Sequence, residues 1–549
     1  MRTPHGFSDE WPNVCRLAAL SASLLIFLTP LWSRTAHYSP SYPVLTIIFA
    51  VTIGAIVFVW GSTSVTRPNE ANSHHIIAIA AAVVSGALLL YFAQRWVDAM
   101  LWNAYRADML IIIREATQRF LEGQNPYVTY RNTYDAPWNF VLSYGPLLWG
   151  PYIAAQLLQT DLRVVTIVGE LFVPICCGIA ATVEAARGRT FSAGAWSVLL
   201  LCVLLSLDVP DYTLMGHTPV YWPLLPLFAA LVTRRRWLWA AFALGLLVVA
   251  RSTMVALVPI LLIAMWAANR RDALLGFVII CATVLLLLSP FLMWDAYAVW
   301  DGMVTTYPRV MKEVVWTSTG TGATDTLGLT GWLLAHRLER LIEPSQLIAM
   351  PVVYGLAWIP ILRGARPLPW MGLSLLVFSM TSLWPVFYIY YDVLLLFISA
   401  ALAETLDTRL GLKSWVLTLA VSVVLVAVLL NFRALPNPEF SASSKMAAKA
   451  FGHGPSTIAL PRRSISAADI VIRYQARQPF DEDDALVTAY LNGKALWTAR
   501  LLDSPPEMRF VAPTSVWRIG HNRLELKAAS PDSTSPPLVV TSVTVLPRR

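Results

Sequence analysis

The chain has 549 residues, of which 56% are hydrophobic and only 13% charged, and its mean hydropathy is +0.58. A soluble domain carries about 25% charged residues, so this composition excludes an ordinary water-soluble enzyme, a disordered chain and a nucleic-acid module. The net charge of +8 fits Lys and Arg gathered in cytoplasmic loops, which is a signal of membrane topology rather than of a polyanionic partner.

Charge is unevenly spread. Residues 433–549 hold 15 Lys/Arg and 10 Asp/Glu, whereas the first 432 residues hold 49 charged side chains. The chain therefore divides into N-terminal membrane helices over 1–75, a membrane domain over 76–432, a linker over 433–467 and a soluble domain over 468–549. Cys15, Cys176, Cys177, Cys202 and Cys281 all fall in apolar stretches, so no disulfide framework braces the tail. The eight histidines show no ligand spacing, and His74-His75 is an isolated pair. No metal site is expected, although carboxylates could still recruit a divalent ion.

Thirteen apolar runs are candidates to cross the roughly 30 Å hydrocarbon core: 15–33, 43–62, 76–95, 163–185, 190–207, 217–233, 237–250, 252–268, 272–293, 346–363, 369–385, 387–403 and 414–432. Arg187/Arg189, Arg234 to Arg236, Arg270/Arg271, Arg363/Arg366 and Arg409/Lys413 fall between them. Placing all five groups in the cytoplasm is self-consistent. The N-terminus is then inside, with the first run kept as an uncleaved signal anchor. Segments 96–162, 208–216, 294–345 and the tail are then outside.

The outer segment 96–162 is rich in features. Met109, Ile112, Ile113, Ala116, Phe120 and Leu121 repeat at helical spacing, with Arg114, Glu115, Gln118, Arg119 and Glu122 on the other face. That pattern predicts an amphipathic interfacial helix. Gly123 should end it and Asn125-Pro126 should turn the chain. Asp108 is expected at its start, either as an N-cap or as a general base facing a cavity; Asp98 and Asp135 are rival carboxylates. Tyr144–Leu158 is expected as a helix lying at the outer surface or dipping partway in, interrupted by Pro146 and Pro151.

Ionisable groups inside apolar spans are costly and mark function or pairing. Glu170, Asp208, Asp211, His217, Arg251 and Asp392 all fall toward the outer ends of their segments. Arg251, in a turn between two short helices, suits a lipid phosphate because its planar fork binds two oxygens. The plainer reading pairs it with Glu170 or Asp392. Tyr388, Tyr390 and Tyr391 serve equally as an interfacial belt.

In the tail, period-two runs appear at 469–476, 485–491, 495–501, 508–512, 523–527 and 539–545, with the hairpin dipeptide Asn492-Gly493 between two of them. They predict a small antiparallel β-sandwich. Tyr474, Tyr490, Trp497, Phe510 and Trp517 suit either a carbohydrate face or, the preferred reading, the core of a lid or docking domain.

Several short stretches together resemble the GT-C superfamily of polytopic glycosyltransferases, nearest to bacterial polyprenyl-phosphate-mannose-dependent mannosyltransferases of the family 87 type. They are Asp108 with Gly123-Gln124-Asn125-Pro126-Tyr127, Tyr144-Gly145-Pro146-Leu147, Met215-Gly216-His217-Thr218, Ala250-Arg251-Ser252-Thr253, and Trp384-Pro385 through Tyr390-Tyr391. The resemblance covers roughly residues 76–432. It implies a GT-C-like helical membrane fold in a bacterial inner membrane, with the tail in the periplasm. It also implies sugar transfer from a polyprenyl phosphate to a glycolipid, polysaccharide or protein acceptor.

In that reading Asp108 is the general base, and Arg251 and His217 bind the donor phosphate. Tyr127, Tyr144, Glu170, Asp211, Tyr390 and Tyr391 line the substrate pocket. No nucleotide-binding Gly-rich loop is visible, in keeping with a lipid-linked donor and no cofactor. The competing expectations are a transporter or flippase, or a polymerase, of lipid-linked glycans. The absence of a clear internal repeat weighs against the transporter.

Overall fold

The protein was described from a computed structural model covering residues 47–48, 51–56, 75–99, 104–130, 140–158, 162–205, 219–312, 326–383, 385 and 389–406, together with the tail segments 449–450, 456–460, 468–476, 486–492, 494–500, 507–512, 522–528 and 538–547. Expected spans 15–33 and 414–432, and most of 43–62, lie outside these residues.

The first part is helical. It comprises α1 (His75–Ala99), α2 (Ala104–Leu121), a two-stranded ribbon of β1 (Thr129–Tyr130) and β2 (Phe140–Val141), α3 (Pro146–Trp149), α4 (Pro151–Leu157), α5 (Leu162–Ala186), α6 (Thr190–Leu205), α7 (Leu224–Thr233), α8 (Trp237–Ala250), α9 (Val258–Ala268), α10 (Arg270–Trp300), α11 (Thr306–Val310), α12 (Gly328–Ala335), α13 (Ile342–Leu362), α14 (Pro367–Thr381) and α15 (Tyr390–Leu406).

Among the described residues, three helical stretches are long and apolar enough to cross a membrane: Val165–Ala186, Arg270–Arg309 and Glu339–Leu362. α8 and α14 are shorter, at 14 and 15 residues, about 21–23 Å at 1.5 Å per residue, which is short of the hydrocarbon thickness. Val165–Ala186 is mostly buried inside the bundle, whereas the other two long stretches turn apolar side chains outward. Leu286 and Met293 on α10 and Leu347 on α13 are exposed, an arrangement stable only against a nonpolar solvent. α14 and α15 are buried on nearly every face and form the centre of the bundle.

Ion pairs mark one end of the bundle. Glu184, near the end of α5, holds Arg187 at 3.1 Å and Arg189 at 3.3 Å. Arg187 also donates to the Thr405 carbonyl near the end of α15. Arg366, before α14, pairs with Glu404 at 3.1 Å. Asp392 begins the same α15, so it lies about 18 Å away along the axis, at the opposite end.

The expected helix after Ala104 is present, and its end is as the sequence implied. Gly123 has φ +73, the Gln124 N–H reaches the Arg119 carbonyl (2.8 Å), and the Gly123 N–H reaches that of Phe120 (3.0 Å). This is a Schellman stop. Its start differs. Four helical residues precede Asp108, so Asp108 lies inside the first turns and is not the N-cap. The interrupted segment after Tyr144 is two short helices, each with proline at its first turn.

α10 also exceeds expectation, running past 293. Its break falls at Asp295 (φ −159, ψ 95), whose carboxylate accepts from the Ala298 N–H at 3.0 Å and caps the continuing helix.

Among the described residues the tail forms two four-stranded antiparallel sheets. With β3 (Lys449–Ala450), β4 (Ser456–Leu460), β5 (Ala468–Ala476), β6 (Leu486–Leu491), β7 (Lys494–Arg500), β8 (Glu507–Ala512), β9 (Asn522–Ala528) and β10 (Leu538–Pro547), the orders are β3-β10-β5-β8 and β4-β9-β6-β7. All six expected strands are present. β3 and β4 fall in the expected linker and pair with β10 and β9, so the sheets begin earlier than position 468. Asn492 adopts φ +54 between β6 and β7 and accepts from the Arg523 N–H at 3.0 Å. Tyr474 is buried with Ile470 and Ile472, as a core residue rather than a surface aromatic.

Two glycines let backbones touch. A Cβ at Gly145 would stand 1.9 Å from the Val249 carbonyl oxygen, and one at Gly169 would stand 2.5 Å from that of Pro219. No side-chain rotation relieves either clash. Gly145→Ala should lower stability by about 1–3 kcal/mol, read as a fall in thermal midpoint in detergent. Gly194→Ala, where nothing lies within 4 Å, should be neutral or stabilising. Equal midpoints for the two variants would refute the contact.

Candidate functional site

At the end of the bundle away from the basic loops, one carboxylate gathers several elements. Asp392 stands in the first turn of α15, where the helix dipole favours negative charge. It is buried. Its Oδ1 accepts from the Tyr221 hydroxyl at 2.5 Å and from the Trp222 indole N–H at 3.0 Å. Its Oδ2 lies 3.7 Å from Arg251 Nε. Tyr221 and Trp222 come from one tight turn starting at Pro219, closed by the Trp222 N–H on the Pro219 carbonyl at 2.9 Å. Proline at both 219 and 223 restricts the turn to a few conformations.

Arg251 sits where the sequence placed it, at a break between helices. It leaves α8 in extended geometry (φ −142, ψ 110), and a 3₁₀ turn over Ser252–Leu257 follows. Its side chain is 14% accessible. Opposite unit charges about 4 Å apart attract by about 4 kcal/mol at an effective dielectric of 20. Burying each ion costs several kcal/mol. The pair is thus near neutral for stability, and its effect is to fix the guanidinium in place.

Aromatic side chains surround the pair. The Tyr391 ring lies 6.3 Å from that of Trp222. Tyr390 is buried, and its hydroxyl would stand 2.8 Å from a Cβ at Gly328, whose φ of +64 already demands glycine. Tyr307, beyond the Asp295 break, lies within electrostatic reach of both Arg251 and Tyr144.

Tyr144 connects this cluster to α2. Its hydroxyl donates to Met109 Sδ at 3.4 Å, and its carbonyl accepts from the Tyr127 hydroxyl at 3.0 Å. Met109 is the residue after Asp108, so the backbone of Asp108 lies beside the Tyr144 contact. The Asp108 side chain lies outside the described residues. Burial pushes the Tyr127 phenol well above its ordinary value, so it stays protonated and keeps donating to Tyr144.

Phe291 fastens the same corner. Its ring lies 5.4 Å from Tyr127, 5.6 Å from Trp149 and 6.0 Å from Phe120. α2, the turn at Pro126, α3 and α10 are thereby packed together.

The sequence-expected residues separate accordingly. Arg251, Tyr144, Tyr390 and Tyr391 share one neighbourhood, with Tyr127 one bond behind Tyr144. Glu170 is fully buried, and its oxygens have no hydrogen-bond partner among the described residues. It neighbours Tyr152, which shares a 2.8 Å bond with Thr166, and it does not pair with Arg251. Asp392 is the carboxylate that does.

His217 and Asp211, with Asp208, Asp135 and Tyr388, lie outside the described residues, as does the side chain of Asp98. Tyr221, Trp222 and Tyr307 are additions that no local pattern announced. Among the described residues no group of His, Cys, Asp and Glu is arranged to hold a metal. No family model matches the chain, and no curated protein matches it.

Removing one partner of the pair should be costly. Asp392→Leu should destabilise by about 3–5 kcal/mol by removing the buried carboxylate opposite Arg251 and the acceptor of the Tyr221 and Trp222 donors, whereas the double change Arg251→Met with Asp392→Leu should recover most of that loss. Thermal unfolding in detergent reads both, and an unperturbed single variant would contradict the pairing.

Proposed function

We propose that the protein is a polytopic membrane glycosyltransferase that moves a sugar, mannose or a similar hexose, from a polyprenyl phosphate to an acceptor hydroxyl. The observation that carries this reading is the Arg251–Asp392 pair. It sits at a helix break, among tyrosines, at the bundle end opposite the basic loops. A guanidinium fixed there is suited to a lipid phosphate, and α2 brings Asp108 toward the same corner through Met109 and Tyr144. In this reading the basic loops face the cytoplasm of a bacterial inner membrane. The fold is GT-C-like with about thirteen transmembrane helices, and the two tail sheets form a periplasmic β-sandwich.

The chemistry then balances simply. The Asp108 carboxylate takes the proton of the acceptor hydroxyl. The acceptor oxygen bonds to the anomeric carbon as the bond from that carbon to the phosphate oxygen breaks. The polyprenyl phosphate leaves with the bonding pair, and configuration inverts. Phosphate is a good leaving group, so the reaction needs charge stabilisation more than a strong acid. Arg251 supplies fixed positive charge where negative charge develops. Tyr144 and Tyr307 carry hydroxyl groups suited to a sugar, and the acceptor is a glycolipid, a polysaccharide or a protein.

The test is transfer of label from polyprenyl-phosphate sugars to cell-envelope lipids by the purified protein. Asp108→Asn should abolish transfer in a folded protein. Arg251→Lys keeps the charge but loses the fork, and should lower kcat by roughly 10²–10³. Full turnover by Asp108→Asn would end the base assignment. Movement of intact lipid-linked glycan across vesicles without sugar transfer would favour a flippase.

A further inference from the structure

A groove of about 670 Å³ opens between α9, α10 and α13, within the size range of ligand pockets. Its lining is apolar, with Leu262, Trp266, Phe277, Tyr354, Trp358 and Ile359 prominent. On α9 it extends from Pro259 to Trp266, about 10 Å along the axis. It therefore occupies the half of the bundle toward the basic loops, away from Arg251. At Gly355, on its wall, nothing lies within 4 Å of where a Cβ would stand.

One end of the groove is basic. The Arg270 guanidinium lies over the Trp266 ring, 5.2 Å from its centroid. Arg271 follows it, and Arg363 ends α13 one turn after Ile359. All three arginines are exposed. Asp272 is the one acidic residue in the first turn of α10. A tryptophan beneath an arginine is the usual furnishing of a headgroup layer.

We propose that this groove is a binding site for an anionic phospholipid, one acyl chain lying along the apolar wall and the phosphate meeting Arg270 and Arg271. The apolar lining cannot select among lipids, because the surrounding bilayer is equally apolar. The arginines can, since each draws anionic headgroups and its fork fits phosphate oxygens. The site lies at the other end of the bundle from the Arg251 cluster and is independent of the transfer reaction.

The experiment uses the full chain, stripped of lipid in detergent and offered dioleoyl phosphatidylglycerol or dioleoyl phosphatidylcholine, with bound lipid counted by native mass spectrometry. The wild type should retain phosphatidylglycerol preferentially. Arg270→Gln and Arg271→Gln should each cut that preference about fivefold; both residues are exposed, so folding is not at stake. Gly355→Phe, which fills the groove, should reduce retention of both lipids. Equal retention by the wild type, an unchanged preference in the doubly substituted protein, or displacement of the lipid by inorganic phosphate would overturn the proposal. So would undiminished binding in Gly355→Phe, which places the lipid elsewhere.

Discussion

The carboxylate of Asp392 joins parts of the chain that are remote in sequence. Tyr221 and Trp222 lie 171 and 170 residues before it, and Arg251 stands at the end of a different helix. Two hydrogen bonds and one ion pair converge on a group that would otherwise be an uncompensated charge in a nonpolar bundle. The start of α15, the turn before α7 and the break after α8 are thus held together. A closely packed apolar core could fill the same space with comparable stability. What it could not do is hold a guanidinium in one orientation beside a cluster of phenols.

The two ends of the bundle treat charge differently. At the basic end, Glu184 and Glu404 each meet arginine at 3.3 Å or less, and these pairs close helix termini against one another. At the opposite end, Asp392 contacts Arg251 at 3.7 Å while its hydrogen bonds come from neutral donors. The Arg251–Asp392 contact is thus longer than the pairs at the basic end, although the same residue types build both.

Local patterns in the sequence reached some features and not others. The tail strands were legible because period two is a property of neighbours, and because Asn492-Gly493 announces the reversal. β3 and β4 were not, being two and five residues long with no alternation to read. The stop of α2 was visible in Gly123, but its start was not. Asp108 is a capping residue type, and only the structure shows that helix already runs from Ala104 before it. Arg251 stood out as a charge in an apolar run. Its partner was left open between Glu170 and Asp392, because choosing requires knowing which helix ends meet. Tyr307 carries no signal at all: it reaches the cluster through the continuation of α10 beyond Asp295, where the sequence reads as a loop.

The contacts of Gly145 and Gly169 limit how such a chain can diverge. Each brings main chain against main chain, so no partner substitution elsewhere compensates for a methyl group there. A side chain can turn aside to admit a neighbour, but two touching main chains can separate only by moving whole helices, so these two hydrogens, 24 positions apart, set how near α3 and α5 come to the elements they meet.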